Sequence, residues 1–156
     1  MLPRVRAATR KDIPEILRLN ALLSDFHVRI DPYYKSGEET SGGFKLVLEN
    51  LFDDEKTNIL VADKGNGLAG YFIGMIQPPK PFLRPEKTGR ISDAFVEQAF
   101  RGRGLGEKMF DRLVEWFKEN GIRHIELSVD ARNPEGIGAW RKYGFKDFMI
   151  KMRLDL

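Results

Sequence analysis

The residues best suited to chemistry lie in the run Arg101-Gly102-Arg103-Gly104-Leu105-Gly106. Its glycines sit where a strand, Ile91 to Val96, hands over to a helix whose apolar ladder is Leu105, Met109, Leu113 and Phe117. Glycines there let the backbone approach a ligand with no Cβ in the way, and several amides can then converge on one anion. The positive end of the helix dipole and two arginines add to that field, so a pyrophosphate is the natural guest. The competing interpretation is a tight turn with an exposed basic surface; the strand before it and the ladder after it argue for the anion site. The run lacks the Lys-Ser/Thr ending that would hold magnesium in a nucleotide-hydrolysing loop. It also lacks the Gly-x-Gly opening and early parallel β-α-β unit of a dinucleotide fold.

Arg101-x-x-Gly104-x-Gly106 after a Val-ended strand resembles motif A of the GNAT superfamily of N-acetyltransferases. Asn133, followed by Gly144 and Phe145, resembles that family's second motif, and the opening strand with Thr9-x-x-Asp12 is similar to its usual start. The resemblance implies transfer of an acetyl group from acetyl-CoA to a primary amine. It also implies a cofactor cleft between the strand ending at Val96 and a strand at 124–130. By position, the turn Gly102, Gly104, Leu105 and Gly106, with Arg101 and Arg103, would hold the pyrophosphate. The main chain near Phe95 and Val96 would pair with the pantetheine, and Asn133 would contact the cofactor arm.

Such a transfer needs a neutral amine, a proton acceptor, donors for the developing oxyanion and a proton for the leaving thiolate. Asp93 stands where family members often carry a carboxylate facing the cleft, as a base or an anchor for the amine; the alternative is a structural ion pair. Strand alternation puts Ser92 on the opposite face. The family's usual acid is a Tyr seven residues after the Asn, and Trp140 occupies that position. Indole donates a hydrogen bond but no proton near neutral pH, so Trp140 would orient the sulfur or wall the cleft. Tyr143, about 60° further around a helix, is a substitute acid or else a core tyrosine. Gly136 and Gly138 weaken the intervening helix by roughly 1 kcal/mol each, which close approach of the cofactor would justify. A protein of this fold that binds acetyl-CoA with altered catalysis is the second reading.

The elements that position these groups follow from periodicity. A strand at 4–9 leads into a helix from Ile13 to about Phe26, with Asp31-Pro32 as its latest end. A polar stretch with Gly37, Gly42 and Gly43 precedes a second helix of about three turns around Phe44 to Leu51. Ile59–Ala62 and Leu68–Ile76 form a hairpin, and the proline-rich segment 78–89 is a surface loop. Strand 90–96, helix 104–120, strand 124–130, a short helix from Pro134 and a last strand from Lys146 to about Leu154 complete the chain. The order β-α-α-β-β-β-α-β-α-β predicts an α/β domain over 1–156. Its mixed, mostly antiparallel sheet would splay around the cofactor and carry helices on both faces. The acceptor pocket would come from the segment that links the first helix to the second, together with the 78–89 loop; in that segment His27, Asp31, Tyr33 and Tyr34 offer aromatic and acidic groups for an amine, or else close the end of a helix against the core.

Composition narrows the rest. The 156 residues carry 26 basic and 23 acidic side chains, a net +3, with the signs interleaved. The RGRG run has no accompanying aromatic platform, which weighs against nucleic acid. No apolar run reaches membrane length and the N-terminus is charged early, so the expectation is a soluble, cytoplasmic protein. There is no cysteine to carry an acyl group, and His27 and His124 lack metal-ligand spacing, so no metal is expected. Pairing of two copies as a homodimer is left open.

Overall fold

Leu105, Met109, Leu113 and Phe117 form one stripe of helix α3 (Leu105–Glu119), and all four are buried. They press on a five-stranded sheet in a computed structural model that describes residues 1–156. The strands are β1 (Arg4–Ala7), β2 (Thr57–Asp63), β3 (Leu68–Gln77), β4 (Thr88–Val96) and β5 (Ile125–Glu126), adjacent in chain order. The first four pair antiparallel and β5 joins β4 in parallel. Helices α1 (Ile13–Ile30) and α2 (Gly37–Phe52) cover one face, burying Ile16, Leu19 and Leu48 against Val61, Tyr71 and Ile73. Helices α3 and α4 (Pro134–Lys142) cover the other, over Leu60, Phe72 and Ile91. No helix is long and apolar enough to cross a membrane.

Local chemistry explains the boundaries. The amide of Thr9 donates to Asp12 at 2.7 Å, and the Arg6 guanidinium binds the same carboxylate through two bonds, which fixes the entry to α1. The helix runs to Ile30, four residues past Phe26, and stops where Asp31 turns extended ahead of Pro32. Helix α2 begins two turns earlier than its apolar pattern suggests. Ser36 and Glu39 cap each other's amides, so the helix starts at Gly37 and runs through the exposed Gly42 and Gly43. Gly37 itself lies so close to α1 that a Cβ there would fall 2.7 Å from Ala21.

Two strand expectations need correction. The 124–130 strand pairs only at Ile125 and Glu126, because β4 diverges from it beyond Arg90. The strand expected from Lys146 to Leu154 does not form: these residues alternate as a strand should, but no neighbouring strand of the chain offers them a ladder.

Strand β4 carries the feature that positions the site. Its ladder with β3 runs Phe72↔Ala94, Ile73↔Asp93 and then Gly74↔Ile91, leaving Ser92 as an extra residue. This bulge reverses the alternation. Ile91 faces α3, whereas Phe95, four residues on and on the same face of a regular strand, packs with α1 and α2. Asp93 turns to the α1–α2 side with Phe95.

Opposite the bulge, Gly74 lets Leu113 touch the strand backbone; a Cβ there would sit 2.6 Å from Leu113 Cδ1. Leu113→Ala should cost about 2–5 kcal/mol in urea unfolding and Gly74→Ala about 1–3 kcal/mol. The double variant should be more stable than the sum of the two costs predicts, by at least about 0.5 kcal/mol, since the clashing methyls are gone. Strict additivity would contradict the contact.

Candidate functional site

The turn before α3 has Gly102 at φ 70° and Gly104 at φ 81°, left-handed conformations that favour glycine. The backbone amides of Gly102, Arg103, Gly104, Leu105, Gly106 and Glu107 donate to no acceptor in the protein; the first intrahelical bond is Lys108 N–H to Gly104 O at 3.0 Å. Six successive unpaired donors at a helix N-terminus are suited to an anion. Arg103 is exposed and makes no ion pair. Arg101 is held by contacts of its own, its guanidinium lying 5.5 Å from the centre of the Phe95 ring. Its Nε donates to the Val96 carbonyl at 2.8 Å and its Nη1 lies 3.4 Å from Glu135, so it ties the end of β4 to the start of α4.

Beyond Arg90 the outer edge of β4 has no neighbour as far as Val96, which opens a wedge between β4 and the 127–130 segment. On the α4 side, Asn133 Oδ1 accepts the Gly136 amide at 3.0 Å and caps the helix. A Cβ at Gly136 would fall 2.5 Å from Asn133 Nδ2, so this glycine serves the cap, while Gly138 faces open space. Trp140 packs among Phe72, Phe110 and Phe145. Tyr143 stacks on Phe110 with centroids 5.0 Å apart, and its hydroxyl stands 3.1 Å from where a Gly106 Cβ would be. Burial, then the charges of Glu107 and Asp111, raise its phenol above the usual tyrosine value.

On the opposite face, Asp93 is half-buried at the floor of an open cleft of about 430 Å³ between α1, α2 and β4. Asn20, Ser24, Lys35, Glu39 and Thr40 share that cleft. Desolvation pushes the Asp93 carboxyl up to about 6, against the pull of the Arg90 charge. No hydrogen bond or salt bridge of the protein engages it. Beside it, Asn20 Nδ2 donates to the buried Tyr71 hydroxyl at 3.0 Å. Apart from Asp93, the cleft residues are not among those singled out by motif. Their signal is nonetheless present: Asn20 and Ser24 continue the i, i+4 line from Ile16, polar groups on an apolar stripe.

His27, Asp31, Tyr33 and Tyr34 gather elsewhere. Asp31 accepts the Tyr33 amide at 3.0 Å and one guanidinium nitrogen each from Arg132 and Arg153 at 2.9 Å. These bonds, the Tyr33 amide first, hold its carboxyl at about 2. Tyr34 donates to Asp130 at 2.6 Å, and Asp130, also bound by Arg132, lies well below the usual carboxylate range. His27 packs 5.0 Å from the Tyr34 ring, its pKa lowered by burial. The group fastens the end of α1 to the segment after β5; none of the four lines the Asp93 cleft.

The sequence pattern of the Acetyltransferase (GNAT) family matches residues 20–145. An uncharacterized N-acetyltransferase of Methanocaldococcus jannaschii is 31% identical over 65 residues, 42% of this chain and 29% of that protein. The matched regions span 29% to 58% of the lengths of the first three curated relatives. A crystallised tetramutant of a Bacillus halodurans protein superposes with a TM-score of 0.85 at 26% identity, over 98% of this chain and 99% of that one. A predicted acetyltransferase of Clostridium acetobutylicum, crystallised with acetyl-CoA, shares the fold with a TM-score of 0.76 at 23% identity, over 99% of this chain and 96% of that one.

The Asp93 environment makes a pH prediction. Its folded pKa of about 6 exceeds the unfolded value of about 3.9, so the folded state binds more protons between them and stability falls as pH rises through that window. Asp93→Asn should remove this fall and gain about 1–2 kcal/mol at pH 8 in urea unfolding, with little change at pH 3.5. A variant that loses stability at pH 8 would show that the carboxylate is held by partners rather than desolvated.

Proposed function

The chain belongs to the Acetyltransferase (GNAT) family, and from that premise we propose that it transfers the acetyl group of acetyl-CoA directly to a primary amine. The observation that carries this reading is the row of unpaired amides from Gly102 to Glu107 at the mouth of the β4–β5 wedge. A pyrophosphate seated there satisfies the donors of Gly102, Gly104, Leu105 and Gly106 and meets the positive end of α3, with Arg103 free to add its charge. The pantetheine then follows the open edge of β4 past Val96 and Phe95, with Asn133 and Trp140 on the α4 side. Arg101 already spans this mouth and joins the cradle from its link to Val96.

The amine enters from the other face, through the cleft floored by Asp93. A carboxyl poised near 6 is largely ionised at neutral pH, so it holds an incoming ammonium and accepts its proton directly or through water. The neutral nitrogen attacks the thioester carbonyl, the C–N bond forms, and the C–S bond breaks. Of the aromatic cluster facing the wedge, Tyr143 alone carries an ionisable hydroxyl, and we assign to it the proton for the departing thiolate. Lys35 and Glu39 give the cleft both signs of charge beside the hydroxyls of Ser24 and Thr40, while Phe44 and Val47 supply an apolar wall, which suits a small amine with an apolar portion.

Saturating acetyl-CoA should raise the melting temperature, by the equivalent of about 2.7 kcal/mol at 100 times Kd. Gly104→Val, which has room for the side chain but not for its φ of 81°, should lose that shift and stay folded. Absence of any shift for the wild type would refute cofactor binding.

Thiol release over an amine panel then tests turnover. Asp93→Asn should keep the thermal shift while kcat/KM falls about 100-fold or more and the pH-rate limb near 6 disappears. For the acid, Tyr143→Phe should lower kcat more than Trp140→Phe and flatten the alkaline limb. A thermal shift without thiol release would favour a binding protein with altered catalysis.

A further inference from the structure

The ladder between β3 and β4 places a second charged group beside Asp93. Arg90 pairs with Met75, and Asp93, beyond the extra residue Ser92, pairs with Ile73. Ile73 and Met75 both pack on the side of the sheet covered by α1 and α2, so Arg90 and Asp93 share that face. In a regular strand, residues three apart would point to opposite faces; the bulge brings these two together. Their β3 partners are two residues apart, which puts them about 7 Å from each other along the strand.

Both groups are uncommitted. Arg90 is exposed and its guanidinium makes no hydrogen bond and no ion pair, whereas Arg6, Arg18 and Arg132 each clamp carboxylates at 2.8 to 3.0 Å. Glu126, the ladder neighbour of Arg90 on β5, lies 4.0 Å from Lys80 and does not pair with Arg90. Arg90 stands close enough for its charge to act on the Asp93 carboxyl, yet the two do not close on each other. An anion and a cation on one face with a gap between them are complementary to a molecule that carries the opposite pair.

We propose that the acceptor is a small amine that also bears an anionic oxygen group, a carboxylate or a phosphate, several bonds from its nitrogen, and that Arg90 binds this group while Asp93 binds the amine. The proposal rests on the acetyl-transfer reading of the cleft and adds the substrate class to it. The planar guanidinium suits such a group because it can donate two parallel bonds. Lys35 lines the cleft too, but as a point charge without that fork. Phe44 and Val47 offer apolar contact to the hydrocarbon between the two ends, and a cleft of about 430 Å³ is of small-molecule size.

Thiol release from acetyl-CoA is compared for three acceptors of similar length: γ-aminobutyrate, phosphoethanolamine and butylamine. At least one anionic amine should exceed butylamine in kcat/KM by about 10-fold or more, the scale of one charge-assisted hydrogen bond, and the better of the two identifies carboxylate or phosphate. Arg90→Met should erase the preference through KM, with kcat little changed and the far-ultraviolet circular dichroism intact. Arg90→Lys should keep part of it, and Arg90→Glu should favour putrescine. Equal use of anionic and neutral amines by the wild type would overturn the proposal, as would an Arg90→Met enzyme that keeps the preference. A preference lost in Lys35→Met but kept in Arg90→Met would overturn the assignment to Arg90. Calorimetric titration of the same amines without acetyl-CoA reads the anion site apart from turnover. Tighter binding of an anionic amine, lost in Arg90→Met, supports the site even where no thiol is released and the transferase reading fails; equal binding of all three refutes it.

Discussion

One extra residue in β4 governs the arrangement of the site. Without Ser92, Ile91, Asp93 and Phe95 would share one face of the sheet, and a carboxylate would project into the apolar layer under α3. Burying it there without a partner would cost several kcal/mol. The bulge instead gives the two halves of one strand to two layers. The lower half seats α3 through Ile91, and the upper half presents Asp93 to the open cleft between α1 and α2. The same strand then loses β5 as a neighbour, so its free edge and its carboxylate lie on adjacent surfaces of a few residues.

The charged groups divide by how they are satisfied. Asp12, Asp31 and Asp130 are surrounded by guanidinium or amide donors and sit below the usual carboxylate range; each joins one element to another. Asp93 has none of these donors and is displaced upward. A carboxylate with no structural partner retains its full capacity for an incoming cation, whereas one already saturated with donors fastens the fold. By that criterion Asp31, attractive beside two tyrosines in the sequence, belongs with the fastenings.

What can be read from the residues is whatever depends on local pattern. The α3 ladder, the glycines at positive φ, the β2–β3 hairpin and the Asn133 cap position are written within a few residues of one another. The bulge is not, because Ile91-Ser92-Asp93-Ala94-Phe95-Val96 alternates as well as any regular strand and only the register with β3 shows the extra residue. Helix α2 looks shorter in the sequence than it is because its glycines outweigh the Ser36–Glu39 cap when propensity alone is weighed. The cleft is hidden because its members come from α1, α2 and β4, remote in sequence. The 146–154 segment has the right alternation but needs a partner strand, which no local pattern supplies.

Helix α3 joins the row of free amides at its start to the sheet at a distance. Gly74 and Gly89 allow Leu113 and Phe117 to rest directly on strand backbone, two and three turns beyond the six free amides. At 1.5 Å per residue, Phe117 is about 18 Å from the first turn. The helix is therefore a lever whose fulcrum lies at the bare strand positions: a tilt of a few degrees introduced at the Gly89 contact displaces the amides by about 1 Å, a large error on the scale of hydrogen-bond geometry. The orientation of these amides is thus set by contacts in the core, two to three turns away.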